Sequence, residues 1–247
     1  DDDITDNPPA LNDAVVSLNE NSVNGTTVYN VNDANTLGDT DQDGQALAYS
    51  ITGGNTAGAF SINTASGVIS VADQSVLNYE NTVLFALTVR ASDGINTDEA
   101  TVTVNLVNLN DNAPLTVADS YSVDEGATLS EPADGLLAND SDADGNVITA
   151  VKVSDPLHGS LTISPDGSFI YVSNGDEVTS DSFTYKTNDG LQDGNTVTVT
   201  LSINPVNDPP LSVADSYSVN EGATLTIAAA GILSNDSDAE GNALTAI

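Results

Sequence analysis

Closely spaced carboxylates recur three times along the chain, each time in the pattern Asp-x-Asp-x-acidic-Gly. These clusters occupy residues 39–44, 140–145 and 236–241. Two carboxylates about 4 Å apart repel each other by about 1 kcal/mol in water, and by several times more when partly buried. A sequence that repeats this arrangement therefore indicates a cation bound at each cluster.

Calcium is the cation that suits these clusters best. It is a hard ion that takes about 6–8 oxygen ligands in flexible geometry, and a chain with no Cys and one His offers little to a softer metal. An EF-hand loop is excluded because its twelfth position requires Glu. The residues in that position are Ser50, Val151 and Ile247.

Solvated turns are the alternative reading of these clusters. Asp, Asn and Gly populate turns for conformational reasons alone, which would explain an isolated Asp-Gly pair. It does not explain why the whole cluster returns beside Asx-rich segments that end in Pro, at 3–9, 108–114 and 204–210. We therefore expect calcium at these places.

The overall charge excludes several classes of partner. The chain has 37 acidic and three basic residues, for a formal net charge of −34. It therefore cannot displace counterions from nucleic acid, and it is repelled by anionic lipid. Runs of alternating aliphatic residues argue against disorder. The chain has no run of about 18 apolar residues, so membrane insertion is not expected. It also has no Cys, so a metal would take the place of disulfides in stabilising small secreted domains.

An internal repeat of 96 residues defines the domains. Residues 114–129 return at 210–225, and residues 135–151 return at 231–247. A period near 100 residues is typical of one domain per repeat. We therefore predict a linker at 1–7, domains at 8–113 and 114–209, and the incomplete N-terminal part of a third repeat at 210–247.

Alternating hydrophobicity predicts strands and no helix. The predicted strands are 26–31, 47–52, 67–71, 84–91 and 100–107 in the first domain, and 150–153, 159–163, 168–172, 182–187 and 196–203 in the second. Residues 164–168, SPDGS, predict a hairpin turn. About seven short strands per 100 residues favour an all-β fold of tandem Greek-key, Ig-like β-sandwiches.

The first domain resembles a cadherin repeat. The motifs that carry the resemblance are Glu20 in LNEN, Glu80 in LNYE, the pair Asp41 and Asp43, Asp93 in ASDG, and the segment NLNDNAP at 108–114. This segment departs from the family pattern at Asn108, where Asp is expected.

The second domain and the third copy are similar to the VCBS, or cadherin-like, tandem repeats of large bacterial RTX-type adhesins. The matching motifs are ADSYSVDEGATL, GLLANDSDADGN, HGSLTISPDGSFIYV, DSFTYKTNDG and PVNDPP. Together the two resemblances imply sandwich domains in an extended rod, with calcium bound at the joints.

The resemblance also implies a set of ligands for each joint. Between the first and second domains these are Glu20, Glu80, Asn110, Asp111, Asp142, Asp144 and Asp189. For the following joint they are Glu125, Asp208, Asp238 and Glu240. Asp3 and Asp6 would join Asp41, Asp43 and Asp93 at the front of the first domain. No counterpart of Glu80 is assigned in the second domain, so fewer ions are expected at its end.

The resulting hypothesis is a calcium-rigidified stalk of a large extracellular surface protein involved in cell adhesion. Its partners would be neighbouring repeats of the same protein. The alternatives are a module that binds polysaccharide or other copies of itself, and a subunit of an extracellular filament assembled by strand complementation. Threonines alternate at 101–104 and 196–201, and we interpret them as ordinary outward strand residues. An enzyme is not expected, because the lone His158 has no nucleophile motif beside it.

Overall fold

The computed structural model describes residues 6–32, 41 and 44–247. The chain forms two compact units, divided between Asp111 and Asn112. The regular elements of the described residues are 14 strands and three short 3-10 helices, at Thr56–Gly58, Gln74–Val76 and Gly231–Leu233. The all-β class predicted from the sequence is confirmed.

The first unit has seven strands in two sheets. They are β1 (Ala14–Asn19), β2 (Thr27–Asn30), β3 (Ala48–Gly53), β4 (Phe60–Ile62), β5 (Val68–Val71), β6 (Leu84–Ser92) and β7 (Thr97–Val107). One sheet has the order β1-β7-β6-β3 and the other β2-β5-β4. Strand β1 pairs with β7 in parallel, whereas the other pairs are antiparallel.

The second unit repeats this connectivity strand for strand. Its strands are β8 (Ser120–Asp124), β9 (Thr128–Glu131), β10 (Thr149–Ser154), β11 (Gly159–Ile163), β12 (Phe169–Ser173), β13 (Ser180–Asn188) and β14 (Val197–Asn204). The sheets have the orders β10-β13-β14-β8 and β11-β12-β9. The pair formed by β14 and β8 is again parallel.

Each unit buries the inward side of its longest hairpin. In β6 every second residue from Phe85 to Ala91 is buried, and in β7 every second residue from Ala100 to Leu106. The corresponding residues of the second unit are Phe183, Tyr185, Val199, Leu201 and Ile203. Each large apolar side chain buried in this way contributes about 1.5–3 kcal/mol.

The predicted hairpin turn at 164–168 is confirmed. The N–H of Ser164 donates to the carbonyl of Ser168 at 2.9 Å, and the N–H of Gly167 donates to the carbonyl of Ser164 at 3.0 Å. Gly167 has a φ of +82°. A Cβ at this position would lie 2.8 Å from Cγ of Leu137, so glycine is required both for its backbone conformation and for space.

Four strands escaped the prediction from sequence, namely β1, β4, β8 and β9. Each lies at the edge of its sheet. Four edge strands that were predicted, namely β2, β3, β10 and β11, show that the edge position alone does not explain the misses. Strand β4 has only three residues, and β9 reads TLSE.

Residues 210–247 repeat the local structure of 114–151 without forming its strands. Leu211 and Ser237 form an isolated bridge, as Leu115 and Ser141 do. The N–H of Val213 donates to Oδ1 of Asp236 at 2.8 Å, where Val117 donates to Asp140 at 2.7 Å.

The repeat at 210–247 is more exposed to solvent than its counterpart at 114–151. Val123 is 7% exposed in the second unit, whereas its counterpart Val219 is 54% exposed. Val123 lies on β8, which is held by pairing with β14, and Val219 has no such partner strand among the described residues. The turns of this repeat therefore follow from local sequence, whereas its strands require long-range pairing.

The buried centre of the second unit predicts a clear effect of truncation. Phe183 is 1% exposed and stacks edge-on against Phe169, with ring centroids 5.7 Å apart. We expect Phe183→Ala to lower the free energy of unfolding of this unit by about 3–5 kcal/mol, because it removes a large buried ring and leaves a cavity. Urea unfolding followed by circular dichroism measures this.

Ser182→Ala is the matched control, since its side chain points outward from the same strand. A surface substitution of this kind changes the stability by less than about 0.5 kcal/mol. Equal effects of the two substitutions would contradict the assignment of the buried face.

Candidate metal centres

Three carboxylates converge at one end of the first unit. Glu20, Glu80 and Asp111 each offer an oxygen, and these oxygens all lie within 4.8 Å of one another. Glu20 directly follows β1, and Asp111 lies four residues after β7. Because β1 and β7 run parallel, the residues that follow the two strands emerge at the same edge of the sheet. The topology thus brings together residues that are 91 positions apart.

Glu20 is the buried member of this cluster, with 1% of its surface exposed. Its Oε2 accepts a hydrogen bond from the N–H of Tyr79 at 2.7 Å. Its Oε1 accepts one from the N–H of Leu109, also at 2.7 Å. The carboxylate therefore ties the loop before β6 to the segment after β7. The same two hydrogen bonds fix the position of the carboxylate.

The second unit contains an equivalent cluster formed by Glu125, Glu177 and Asp208. Their carboxylate oxygens again lie within 4.8 Å of one another. Glu125 directly follows β8 and Asp208 follows β14, which is the second parallel pair. The N–H of Val206 donates to Oε2 of Glu125 at 3.2 Å. The two units therefore build the same arrangement from corresponding strands.

Glu177 is the member that sequence reasoning missed, and it supplies the counterpart of Glu80. Glu80 precedes the buried Phe85 by five residues, whereas Glu177 precedes the buried Phe183 by six. The extra residue, and the absence of the surrounding motif, concealed the correspondence. An acidic residue five or six positions before the first buried aromatic of the long hairpin is the signal that would have found it.

Glu177 is surrounded by other negative charges. Desolvation raises the pKa of Glu177, and so does repulsion from Glu125, Glu240, Asp208 and Asp238. These four residues are the ligands that the sequence assigned to one joint. The structure brings all four close to Glu177.

Some oxygens of this cluster have no hydrogen-bond donor among the described residues. Oε1 of Glu125 and Oε2 of the neighbouring Glu240 are buried and accept no hydrogen bond from the described residues. The other oxygen of Glu240 accepts a short hydrogen bond from the N–H of Asp208. A buried acceptor left without a donor costs about 1–3 kcal/mol, and more when it is charged. Carboxylate oxygens of this kind fit a hard cation such as calcium.

The acidic loop at 140–145 divides its three Asp residues between two roles. Asp140 accepts a hydrogen bond from the N–H of Val117 at 2.7 Å, and its Oδ2 lies 3.0 Å from the hydroxyl of Tyr185. Burial raises the pKa of Asp140. Asp140 therefore anchors the loop to the domain.

Asp142 and Asp144 are left for other contacts. Oδ1 of Asp142 accepts from the N–H of Asn146 at 3.1 Å, while its Oδ2 is buried without a donor among the described residues. Both oxygens of Asp144 accept from Asn112, each at 2.8 Å. The assignment of Asp142 and Asp144 to the same ion as Glu20 stays a prediction.

Matching Asp-Gly turns join the long strands at the other end of each unit. Oδ1 of Asp93 accepts from the N–H groups of Ile95 and Asn96 at 2.7 and 2.6 Å. These hydrogen bonds lower the pKa of Asp93. Oδ1 of Asp189 accepts in the same way from Leu191 and Gln192, also at 2.7 and 2.6 Å.

The remaining predicted ligands are distributed as follows. Oδ2 of Asp6 accepts from the side-chain amide of Asn96 at 2.8 Å, which places it beside the Asp93 turn. Oδ2 of Asp93 and Oδ1 of Asn110 are buried without a donor among the described residues. The carbonyl of Asp41 accepts from the N–H of Gly44 at 3.2 Å. Asp3 and Asp43 lie outside the described residues.

Two family models match the chain in tandem. Residues 14–107 match the cadherin domain, and residues 110–205 match the bacterial cadherin-like domain. The chain is 31% identical over 231 residues to Protocadherin Fat 1 of Homo sapiens, a match that covers 88% of this chain. It is also 31% identical over 256 residues to Cadherin EGF LAG seven-pass G-type receptor 3 of Mus musculus, covering 97% of this chain. The matches span only 5% and 8% of these two relatives.

Solved structures show the same fold. The human CDH23 EC21-23 structure superposes with a TM-score of 0.62 at 23% identity, covering 94% of this chain and 80% of that chain. The human Desmocollin-1 ectodomain gives a TM-score of 0.58 at 17% identity, covering 84% of this chain and 44% of that chain. In the described part of the chain, no helix is long and apolar enough to cross a membrane.

The cluster in the second unit predicts a specific loss of calcium affinity. Removing one carboxylate lowers the ligand charge, which is what sets the affinity of calcium sites. We expect Glu177→Gln to weaken the tightest binding to this unit by about tenfold, or about 1.4 kcal/mol. Isothermal calorimetry with calcium chloride measures it.

Glu131→Gln is the control, because it removes the same charge from the same unit at the end of β9, outside the cluster. Equal losses of affinity in both variants would indicate a general effect of charge, with no ligand role for Glu177.

Proposed function

Since the chain consists of a cadherin domain followed by a bacterial cadherin-like domain, we propose that it is a calcium-binding stalk segment of an extracellular adhesion protein. The observation that carries this proposal is the repeated carboxylate cluster, built from equivalent strand ends in both units. A single acidic cluster would be ordinary in a chain with 37 acidic residues. Two clusters with the same topological origin point to a role that each domain performs.

Both ends of each unit carry side-chain oxygens of the kind that calcium takes as ligands, which is what a connecting module needs. In the first unit the Asp93 turn precedes β7, and the Glu20 cluster lies beyond its other end. Strand β7 has eleven residues and therefore spans about 35 Å. A domain with ligands at both ends can share ions with the domains before and after it. In that way calcium would stiffen a chain of repeats.

Calcium would supply the positive charge that these clusters lack. Glu20, Glu80 and Asp111 would hold it in the first unit, and Glu125, Glu177, Asp208 and Glu240 in the second. Sites of this kind in extracellular modules bind with a Kd of about 0.1–1 mM, which suits a protein that works outside the cell. The absence of Cys is consistent with metal in place of disulfides.

The role that we propose is structural and not enzymatic. Nδ1 of His158 lies 3.0 Å from Oδ2 of Asp176, and both side chains are partly exposed. This geometry fits a side chain that stabilises a loop.

Removal of calcium tests the proposal directly. At a calcium concentration of ten times Kd, each site adds about 1.4 kcal/mol to the folded state. For domains of this size, 1 kcal/mol shifts the melting temperature by about 4–8 °C. We therefore expect EDTA to lower the melting temperature by at least about 5 °C, and small-angle scattering to report a more variable particle.

Sodium chloride at the same ionic strength separates specific binding from general screening of the charge. Equal stabilisation by sodium and by calcium, or a scattering profile that EDTA does not alter, would contradict a calcium-stiffened stalk.

A further inference from the structure

A buried hydroxyl group in the second unit faces four hydrogen-bond acceptors. Tyr185 lies on β13 with 0% of its surface exposed. Its Oη lies 2.7 Å from the carbonyl oxygen of Leu136 and 3.3 Å from that of Val117. Oδ2 of Asp119 and Oδ2 of Asp140 each lie 3.0 Å from the same Oη. We call these five residues the tyrosine hub.

The tyrosine hub contains too few hydrogens for its acceptors. A tyrosine hydroxyl carries one hydrogen, whereas a carbonyl or an ionised carboxylate carries none. The carbonyl of Leu136 is the nearest acceptor and takes that hydrogen. The Oδ2 atoms of both carboxylates then face the oxygen of Tyr185 without a hydrogen between them. An acceptor that is partly removed from water and has no donor is unfavourable, and a proton on one carboxylate would turn one of these contacts into a hydrogen bond.

The outer oxygen of each carboxylate already has a donor. Oδ1 of Asp119 accepts a hydrogen bond from the side-chain amide of Asn139 at 3.0 Å. Oδ1 of Asp140 accepts one from the N–H of Val117 at 2.7 Å. The ion pairs between described residues involve other carboxylates, so neither Asp is paired with a cationic side chain there. The hydrogen that the hub lacks is therefore expected to come from the solvent, as a proton on one of the two carboxylates.

Asp119 is better placed than Asp140 to hold this proton. Burial raises the pKa of both carboxyl groups, and the hydroxyl of Tyr185 lowers it. The charge of Asp140 raises the pKa of Asp119 further, whereas the N–H of Val117 lowers the pKa of Asp140. A backbone N–H donor favours the ionised form of its acceptor. These differences favour the proton on Asp119.

The other titratable groups that face Asp119 are tyrosines, on β8 and on β13. Burial raises the pKa of Tyr121 to about 12, and the charge of Asp119 contributes. Burial also raises the pKa of Tyr185. Both hydroxyls therefore keep their hydrogens over the pH range in which carboxyl groups titrate. The hydroxyl of Tyr121 donates its hydrogen to the carbonyl of Gly135 at 2.9 Å, so it does not supply one to the hub.

We propose that Asp119 takes up a proton in mildly acidic solution and donates it to Oη of Tyr185. The new hydrogen bond ties the segment before β8 more firmly to β13. Because Asp140 contacts the same hydroxyl, the acidic loop that begins there is held more firmly as well. The tyrosine hub thus acts as a pH-sensitive latch of the second unit.

The latch does not depend on the proposed calcium clusters. Asp119 lies six residues before Glu125, which is the nearest proposed ligand along the chain. The carboxylate of Asp119 is hydrogen-bonded to Asn139 and Tyr185, and neither of these residues is a proposed ligand. The proposal can therefore be tested without calcium.

Equivalent positions elsewhere in the chain provide an internal comparison. Ala14 stands six residues before Glu20, as Asp119 does before Glu125, so the first unit has no carboxylate at this place. In the third copy Asp215 occupies the position of Asp119 and is exposed to solvent. The described residues of that copy include no counterpart of β13, the strand of the hub tyrosine. Asp215 is therefore the reference for a carboxylate of the same motif outside the hub.

Carbon-13 NMR of the side-chain carboxyl groups measures the proton directly, in the full chain and in calcium-free buffer. We expect the titration midpoint of Asp119 to lie at a clearly higher pH than that of Asp215. A midpoint of Asp119 at or below that of Asp215 would overturn the proposal. So would a midpoint that is raised at Asp140 and not at Asp119.

Asp119→Asn provides the second measurement, because its amide can donate to Tyr185 but cannot ionise. Since the pKa of Asp119 is raised on folding, the folded chain binds this proton more tightly than the unfolded chain does. The stability that the proton contributes is full below the unfolded-state pKa and is lost as the pH rises through the folded-state pKa. We therefore expect Asp119→Asn to melt at a higher temperature than the wild type at pH 7, and the difference to close towards about pH 4.

Asp215→Asn is the matched control, since it removes the same charge from the same motif outside the hub. Relief of the net charge acts in both variants, so the difference between them reports on the hub. We expect Asp215→Asn to leave the pH dependence of the melting temperature as it is in the wild type. Equal pH-dependent gains in the two variants would contradict the latch.

Discussion

Parallel pairing of the first and last strands is the constraint on which the rest of each domain depends. It occurs once in each unit, between β1 and β7 and between β8 and β14. Antiparallel neighbours would send the residues after the two strands to opposite edges. The parallel pair instead delivers Glu20 and Asp111 to one edge, and Glu125 and Asp208 to the equivalent edge. The carboxylate cluster is thus a consequence of the topology, provided that acidic residues follow both strands.

The sequence predicted the parts of this fold that local pattern determines. The long hairpins β6–β7 and β13–β14 alternate strictly because one face is buried, and that pattern is visible without a structure. The four strands that were missed lie at sheet edges, as do four that were predicted. The missed strands have three to six residues each, so alternation alone does not identify them. Residues 210–247 also separate local from long-range structure. Their turns form from local hydrogen bonds, whereas the residues that correspond to β8, β9 and β10 form no strand.

Most of the candidate site could be predicted from its motifs, but two details required three-dimensional structure. Glu177 belongs to a loop whose length differs by one residue from that of its counterpart, so no fixed spacing reveals it. Asp140 looks like a ligand in the acidic motif, yet its contacts with Val117 and Tyr185 hold it within the domain. A motif records which residues recur, and it does not separate those that shape a loop from those that the loop presents.

The electrostatic problem of this chain is concentrated where its carboxylates converge. The three carboxylates of each cluster lie within 4.8 Å of one another, and a bound cation would reduce their repulsion. Because the two clusters use different residues in different units, each can be altered by substitution without the other. The contribution of each cluster to cation binding can therefore be separated in the same protein.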